Sequence, residues 1–404
     1  MTSHLFTSES VSSGHPDKLA DSISDSILDA ILSQDPDGRV AAETIATGST
    51  VLIGGEITSR ANIDIEDIVR KRIVEVGYDD EAKGFNGNTC KIICAISHQS
   101  PEIASGVFDA LEGRGDSARD ELESQGAGDQ GIIFGFANSD NTDYFPVAGK
   151  ISHLLAAKLE YLRRFTEEGS EILLPDAKTQ ITIGYEDGVP TYIENILVST
   201  QHNRNISQKD LKEFLIGRAI DPVINDYNEN MAFGPTLFNE EHYLINPAGA
   251  WSYGGPGADA GLTGRKIIVD SYNGYAKHGG GACSGKDPSK VDRSAAHALR
   301  HIAKNVVAAG LAEEIELQVS YAIGSSHPVS IFVDTKGKPS VGANRIQGII
   351  SEVFDLRPAA IIRDLDLKRP IYKETAAYGH FGRNPNGLFT WEELNKVEEL
   401  QQYL

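Results

Sequence analysis

The sequence predicts a mixed α/β (α+β) fold made of three related units of β-sheet and helix. Three observations carry that expectation. Segments with the two-residue apolar period of strands alternate with segments whose apolar residues recur every three or four positions, as in helices. A glycine turn bearing one aspartate recurs three times, as Gly14-His15-Pro16-Asp17, Gly126-Ala127-Gly128-Asp129-Gln130-Gly131 and Gly254-Gly255-Pro256-Gly257-Ala258-Asp259. A chain of 404 residues, 40% of them hydrophobic, is long enough for two or three domains with their own cores.

The first unit is taken as residues 1–101. Leu19, Ile23, Ile27 and Ile31 are spaced by four and predict a helix from Pro16 to Gln34. Asp17, Asp21, Asp25 and Asp29 repeat at the same interval beside that apolar stripe. Asp21, Asp25 and Asp29 are expected to solvate the helix, whereas Asp17 stands apart in the first turn, next to His15 and Pro16. Strands are expected at Val40 to Ala46, Thr50 to Ile57 and Cys90 to Ser97, with a helix at Ile65 to Val76. Residues 98–128 are rich in Gly, Ser, Asp and Glu and read as a loop or junction, either a gate beside a ligand site or a plain linker.

The central unit, 124–252, continues with the apolar run Ile132 to Phe136, a helix near Ile151 to Phe165, and strands near Thr179 to Tyr185 and Tyr192 to Ser199. The third, 253–404, leads through its glycine turn to Lys266-Ile267-Ile268-Val269, expected as a strand. A helix from Pro288 to about Ala309, closed by Gly310, is followed by strands near Glu316 to Ala322 and Ser330 to Asp334 and a helix near Arg345 to Phe354.

The run His278-Gly279-Gly280-Gly281-Ala282-Cys283-Ser284-Gly285-Lys286-Asp287-Pro288 has the outline of a polyphosphate site. Its glycines allow backbone N–H groups to approach an anion, with Asp287 expected as N-cap and Pro288 as the first helical residue. The helix dipole then favours negative charge in the loop. Gly280 to Lys286 fits G-x-x-x-x-G-K, but Asp287 follows where a Walker loop needs a hydroxyl for magnesium.

A net charge of −21 argues against nucleic acid and anionic membrane as partners. Within that acidic chain, residues 265–304 concentrate eight basic residues (Arg265, Lys266, Lys277, Lys286, Lys290, Arg293, Arg300 and Lys304) against Asp270, Asp287 and Asp292. The cluster fits a small, highly charged anion or, equally, a solvated basic helix face. The first residues lack the basic-then-apolar pattern of a signal peptide. Cys90, Cys94 and Cys283 fit no zinc or disulfide spacing, so a reducing, cytoplasmic location is expected.

Taken together and in order, Gly14-His15-Pro16-Asp17-Lys18, the 126–131 turn, Pro175-Asp176-Ala177-Lys178, Gly261-Leu262-Thr263-Gly264-Arg265-Lys266, the 278–288 run and Tyr372-Lys373-Glu374-Thr375-Ala376-Ala377-Tyr378-Gly379-His380-Phe381-Gly382 resemble the S-adenosylmethionine synthetase (methionine adenosyltransferase) family. The resemblance covers nearly the whole chain. It implies three units related by a pseudo-threefold axis, dimers with active sites at the interface, and pairing of dimers into tetramers. It further implies ATP and L-methionine as substrates, S-adenosylmethionine, phosphate and pyrophosphate as products, two Mg2+ per site and one K+ per subunit.

The resemblance assigns roles as follows. His15 lies at the triphosphate, Asp17 and Asp292 hold magnesium, and Glu43 holds potassium. Lys178, Arg265, Lys266, Lys286 and Lys290 are phosphate-binding and triphosphate-cleaving cations. Glu56, Gln99 and Asp259 are methionine contacts, with Asp129 and Asp176 as further substrate contacts. Ala282 lends backbone to the nucleotide. Where bacterial relatives usually show Gly-Arg-Phe, this chain has Gly249-Ala250-Trp251, so Trp251 is left to stack on adenine and Ala250 to offer backbone only. The reaction it implies, attack of a thioether on C5′ of ATP, removes no proton and requires no general base. A phosphotransferase built on the glycine turn, or an ATP-binding regulator without turnover, remain as alternative readings.

Overall fold

The computed structural model describes residues 3–98, 110–111, 120–230, 236–237, 242–337 and 339–404. Gln99 and most of the 98–128 segment lie outside the described residues. Three sheets form the frame. The chain passes three times through the same order of elements: a lone strand, a helix, an antiparallel hairpin and a second helix. The first pass is β1 (Ser3–Val11), α1 (Pro16–Leu32), the hairpin β2 (Arg39–Thr47) and β3 (Thr50–Thr58), then α2 (Ile65–Val76) and the added strand β4 (Lys91–Ser97). The second is β5 (Gly131–Asn138), α3 (Val147–Phe165), β6 (Leu173–Glu186) with β7 (Val189–His202), then the helix Gln208–Leu215. The third is β8 (Gly261–Leu262), α4 (Val291–Ala308), β9 (Glu314–Tyr321) with β10 (Ser330–Asp334), and α5 (Ala343–Val353).

In every pass the lone strand joins another pass's hairpin. β1 runs antiparallel to β6, with Ser3 opposite Glu186 and Val11 opposite Lys178. β5 pairs antiparallel with β9, and β8 with β2. This cyclic exchange interlocks the three segments. The helices then cover the sheets, α1 on β2, α3 on β6 and β1, and α4 on β5 and β9. One core is common to the first and last segments, from Leu19, Ile23 and Ile27 to Leu299, Ile302 and Val306. A second lies between α3 and the β6–β7 hairpin around Ile151, Leu155, Ile181 and Ile196. Among the described residues no helix is long and apolar enough to cross a membrane.

Five expectations are corrected. The stretch after Lys266 is a short helix, Ile267–Asp270, closed by bonds from the Asp270 and Ser271 N–H groups to the Lys266 and Ile267 carbonyls, and the strand is Gly261–Leu262, which pairs with β2. The basic helix starts at Val291, not Pro288, with Lys290 at its cap and no capping side chain. Asp287 cannot serve as that cap, since its fully buried carboxylate accepts from the Val40 N–H (2.7 Å), the Ser289 N–H (2.9 Å) and Lys290 Nζ (2.5 Å). Nor is α4 a solvated basic face. Arg293 pairs with Asp25, and Arg300 and Lys304 pair with Glu392, all of them buried.

The last correction concerns the α1 acids, which do not solvate the helix. Asp17 accepts the Leu262 N–H (3.0 Å), Asp21 the Gly264 N–H (2.8 Å), Asp25 the Gly285 N–H (2.8 Å), and Asp29 the N–H groups of Tyr372 (2.9 Å) and Lys373 (2.8 Å). One helical turn separates each acid from the next, so successive loops are mounted along a single helix face. Buried carboxylates of this kind persist only with such partners.

Candidate active site

The α1 rack brings together the segments that carry most of the predicted site. α1 opens on His15 as N-cap, Pro16 in the first turn and Asp17. The Asp17 N–H donates to His15 Nδ1 (3.1 Å), so that nitrogen presents its lone pair inward. Burial, followed by the nearby Lys266 and Lys178, depresses the His15 pKa to about 3. The ring is therefore neutral at physiological pH with its proton on Nε2, a hydrogen-bond donor that needs no deprotonation partner.

Around that imidazole stand the cations. Lys266 Nζ lies 2.5 Å from Asp17 Oδ2 and Arg265 3.6 Å from Asp17 Oδ1. Burial alone would push the Asp17 carboxyl up, but the hydrogen bonds from Lys266 and the Leu262 N–H outweigh it and hold the group below its usual range. Lys178 projects from β6 on the exposed side of the strand, two residues beyond the buried Asp176. Asp176 accepts the Gly255 N–H (3.0 Å), and its other oxygen has no hydrogen-bond partner among the described residues. Burial pushes its pKa up to about 7, and among its electrostatic neighbours are Lys178, the exposed Asp259 and Asp17.

The glycine-rich loop closes the other side. A Cβ placed on Gly264 would lie 2.6 Å from the Cβ of Ala282, so the Arg265–Lys266 turn and the 278–288 run are in contact. Gly281 is required there, since a Cβ would meet Asp292 Oδ1 at 2.2 Å. Asp292, in the first turn of α4, pairs with Lys286 Nζ at 2.7 Å. Asp129 lies on the exposed turn beside Ser289, where among the described residues its side chain accepts the adjacent Gln130 N–H (2.7 Å). This geometry is not a Walker loop. The Lys286 backbone bridges Ala41 of β2, and the helix begins five residues later.

Four predicted residues stand elsewhere. Glu43 and Glu56 lie on the open face of the β2–β3 hairpin, around a hollow of about 330 Å³ lined also by Ala41, Ile45, Leu52 and Leu262. Neither forms an ion pair among the described residues. Trp251 is half-buried, its backbone joined to His202 in both directions and its Nε1 donating to Tyr253 O (3.0 Å); Ala250 beside it is exposed. Sequence reasoning missed the supports Lys18, Asp21, Asp25 and Arg293. The four-residue repeat of aspartates is the available signal, and by itself it fits a solvated face equally well.

Comparison with known proteins identifies this arrangement. Models of the S-adenosylmethionine synthetase N-terminal, central and C-terminal domains match residues 3–101, 124–251 and 253–393. The chain is 52% identical over 401 residues to S-adenosylmethionine synthase of Parafrankia sp. (strain EAN1pec), covering 99% of this chain and 98% of the relative. The chain belongs to the S-adenosylmethionine synthetase family. Identity is likewise 52% over 402 residues to the synthase of Salinispora tropica, covering 99% of both chains, and 49% over 403 residues to that of Corynebacterium urealyticum, covering 100% of this chain and 99% of the relative. As a synthetase the chain is a transferase of S-adenosylmethionine synthesis, and neither the phosphotransferase nor the regulator reading is favoured. ATP and methionine are the substrates that family membership implies.

Proposed function

We propose that this synthetase joins the methionine sulfur to C5′ of ATP by displacing the whole triphosphate, with His15 donating from Nε2 to the leaving oxygen. The observation that carries this reading is the placement of His15 at the start of α1, its Nδ1 occupied by the Asp17 N–H and its neighbour Asp17 paired with Lys266 and Arg265. A thioether gains a bond without losing a proton, so the barrier is lowered by alignment and by stabilising charge on the leaving group. Lys178, Arg265, Lys266, Lys286 and Lys290 supply that charge and then assist cleavage of triphosphate to phosphate and pyrophosphate. Asp176, Asp259, Ala282, Ala250 and Trp251 contact the nucleotide; Glu56, Gln99, Asp129, Asp259 and Lys290 contact methionine.

The donor set fits the metals of this metal-dependent family in a particular way. Among the described residues no three His, Cys, Asp or Glu side chains gather as a protein cage. Magnesium typically keeps waters and takes one or two carboxylates plus substrate phosphates. Asp17, beside Lys266, and Asp292, beside Lys286, are single carboxylates that suit two Mg2+ per site, which would add positive charge to the triphosphate site. Glu43 would hold one K+ per subunit.

We further read 1–101, 124–252 and 253–404 as the units of the fold, and the assembly as a dimer with shared sites that pairs into a tetramer. The open hairpin face supports this reading. Ile45 and Ile93 are 37% and 38% exposed there, beside Leu52 and Leu262, and an apolar sheet face of this kind calls for a cover. Cys90, Cys94 and Cys283 are free thiols, which supports a cytoplasmic enzyme.

The decisive experiment is product analysis after incubation with ATP, methionine, magnesium and potassium. A sulfonium nucleoside with phosphate and pyrophosphate is expected. ADP instead would make the protein a phosphotransferase, and unconsumed ATP a regulator. His15→Ala should slow product formation about 100-fold, the usual scale for losing one preorganised donor.

A further inference from the structure

The turn that carries His15 is held from more sides than a helix cap requires. Ser12 is joined to β6, its N–H donating to Ala177 O (2.9 Å) and its hydroxyl to Pro175 O (2.7 Å), while it accepts the Ala177 N–H (2.9 Å). The Tyr78 hydroxyl donates to Gly14 O at 2.6 Å. A Cβ on Gly14 would lie 2.2 Å from Pro175 O, so the turn has no slack on that side.

Ser13 is held by two groups with no part in the chemistry described above. Its hydroxyl donates to Glu160 Oε2 on α3 (2.5 Å), and its N–H donates to the Tyr378 hydroxyl oxygen (3.4 Å). Tyr378 in turn donates to the same Glu160 oxygen. Burial disfavours the Glu160 carboxylate, but hydrogen bonds from Ser13, Tyr378 and Arg164 outweigh it and keep the group ionised.

The backbone of Tyr378 is itself unusual. Its φ is +66°, in the left-handed region that a residue with a side chain adopts only when its surroundings impose it. Arg383 braces that turn, donating to the carbonyls of Glu374, Ala377 and Gly379. Aiming the Tyr378 hydroxyl at Ser13 and Glu160 is what that strained turn achieves. Three distant parts of the chain thus meet at one residue next to Gly14-His15.

We propose that Tyr378 and Glu160 form a positioning clamp on the Ser13–His15 turn, setting where the His15 imidazole stands relative to the leaving triphosphate. The clamp rests on the role given above to His15. Misplacement of a reacting group by about 1 Å costs on the order of 100-fold in rate, and loosening one support costs less.

The test uses the full chain and five variants, Tyr378→Phe, Glu160→Gln, Ser13→Ala, His15→Ala and Tyr378→Phe with His15→Ala, measuring kcat, KM for both substrates and Tm. Tyr378→Phe and Glu160→Gln should each lower kcat about tenfold while both KM values stay within about twofold. Ser13→Ala, which removes only a hydroxyl, should act in the same direction and stands in if Glu160→Gln does not fold. In the His15→Ala background, Tyr378→Phe should have no further effect on kcat. Unchanged kcat in folded Tyr378→Phe and Ser13→Ala, or an equal further loss in the His15→Ala background, overturns the clamp. Wild-type turnover in His15→Ala would instead overturn the role of His15 itself, and the two failures are read from different proteins.

Discussion

β2 separates two regions of opposite character by a single residue step. Val40, Ala42, Thr44 and Ala46 point into the core under α1, whereas Ala41, Glu43 and Ile45 point to the open face. On the α1 side, Asp17, Asp21 and Asp25 are all buried, and each is engaged by a backbone N–H and a cation. On the open side, Glu43 and Glu56 sit among half-exposed apolar residues around a hollow. The difference teaches which half of a charged site one chain can finish. A carboxylate in the interior must be satisfied within the fold, while one on an open sheet face can await another molecule.

The largest expected effect breaks the closed side. Asp25 and Arg293 are both fully buried partners, so Asp25→Ala leaves an uncompensated guanidinium and should cost about 3–5 kcal/mol, read by chemical denaturation. Next, Lys286→Ala should reduce turnover about 100-fold with little loss of Tm, since Asp292 keeps partial access to water. Lys290→Ala should reduce turnover similarly and also lower Tm, because Asp287 loses its ammonium partner while fully buried. Equal Tm for the two lysine variants would contradict the contrast between their carboxylates.

Mixing tests the open side. Lys286→Ala chains combined with Glu56→Ala chains should regain part of the activity if Glu56 completes a site in a neighbouring subunit. No recovery despite demonstrated subunit exchange would mean that each chain builds its site alone.

Two smaller effects sharpen the comparison. Trp251→Ala should weaken ATP binding about tenfold and leave methionine affinity unchanged, as expected for loss of one aromatic contact. Calorimetric titration with a non-hydrolysable ATP analogue measures this directly. Asp176 supplies the pH test. Its folded pKa of about 7 exceeds the ordinary carboxyl value, so the folded state holds a proton that the unfolded chain has released. Its contribution is present below the ordinary value and lost as pH rises toward 7. The Tm of the unliganded enzyme should therefore fall relative to that of Asp176→Asn between about pH 4 and pH 7. His15 acts in the opposite direction. With its folded pKa near 3, stability is lost as pH falls from about 6.5 toward 3.

Local chemistry and the linear order of motifs by themselves determined many of the elements and the family. Apolar spacing marked α1, α2, the β2–β3 hairpin and α3 to within a few residues, because a helix face or strand face is read from neighbours in sequence. His15-Pro16-Asp17 announced a helix start, and the glycine runs announced backbone close to an anion. Only the tertiary structure decided what those groups meet. The backbone N–H partners of Asp17, Asp21, Asp25 and Asp29 lie more than two hundred residues away, so the same four-residue repeat that suits a solvated face became a buried rack. The strand exchange, the neutral imidazole and the neutralised cations of α4 have the same origin. Each depends on low dielectric and on long-range pairing, neither of which is encoded in local periodicity.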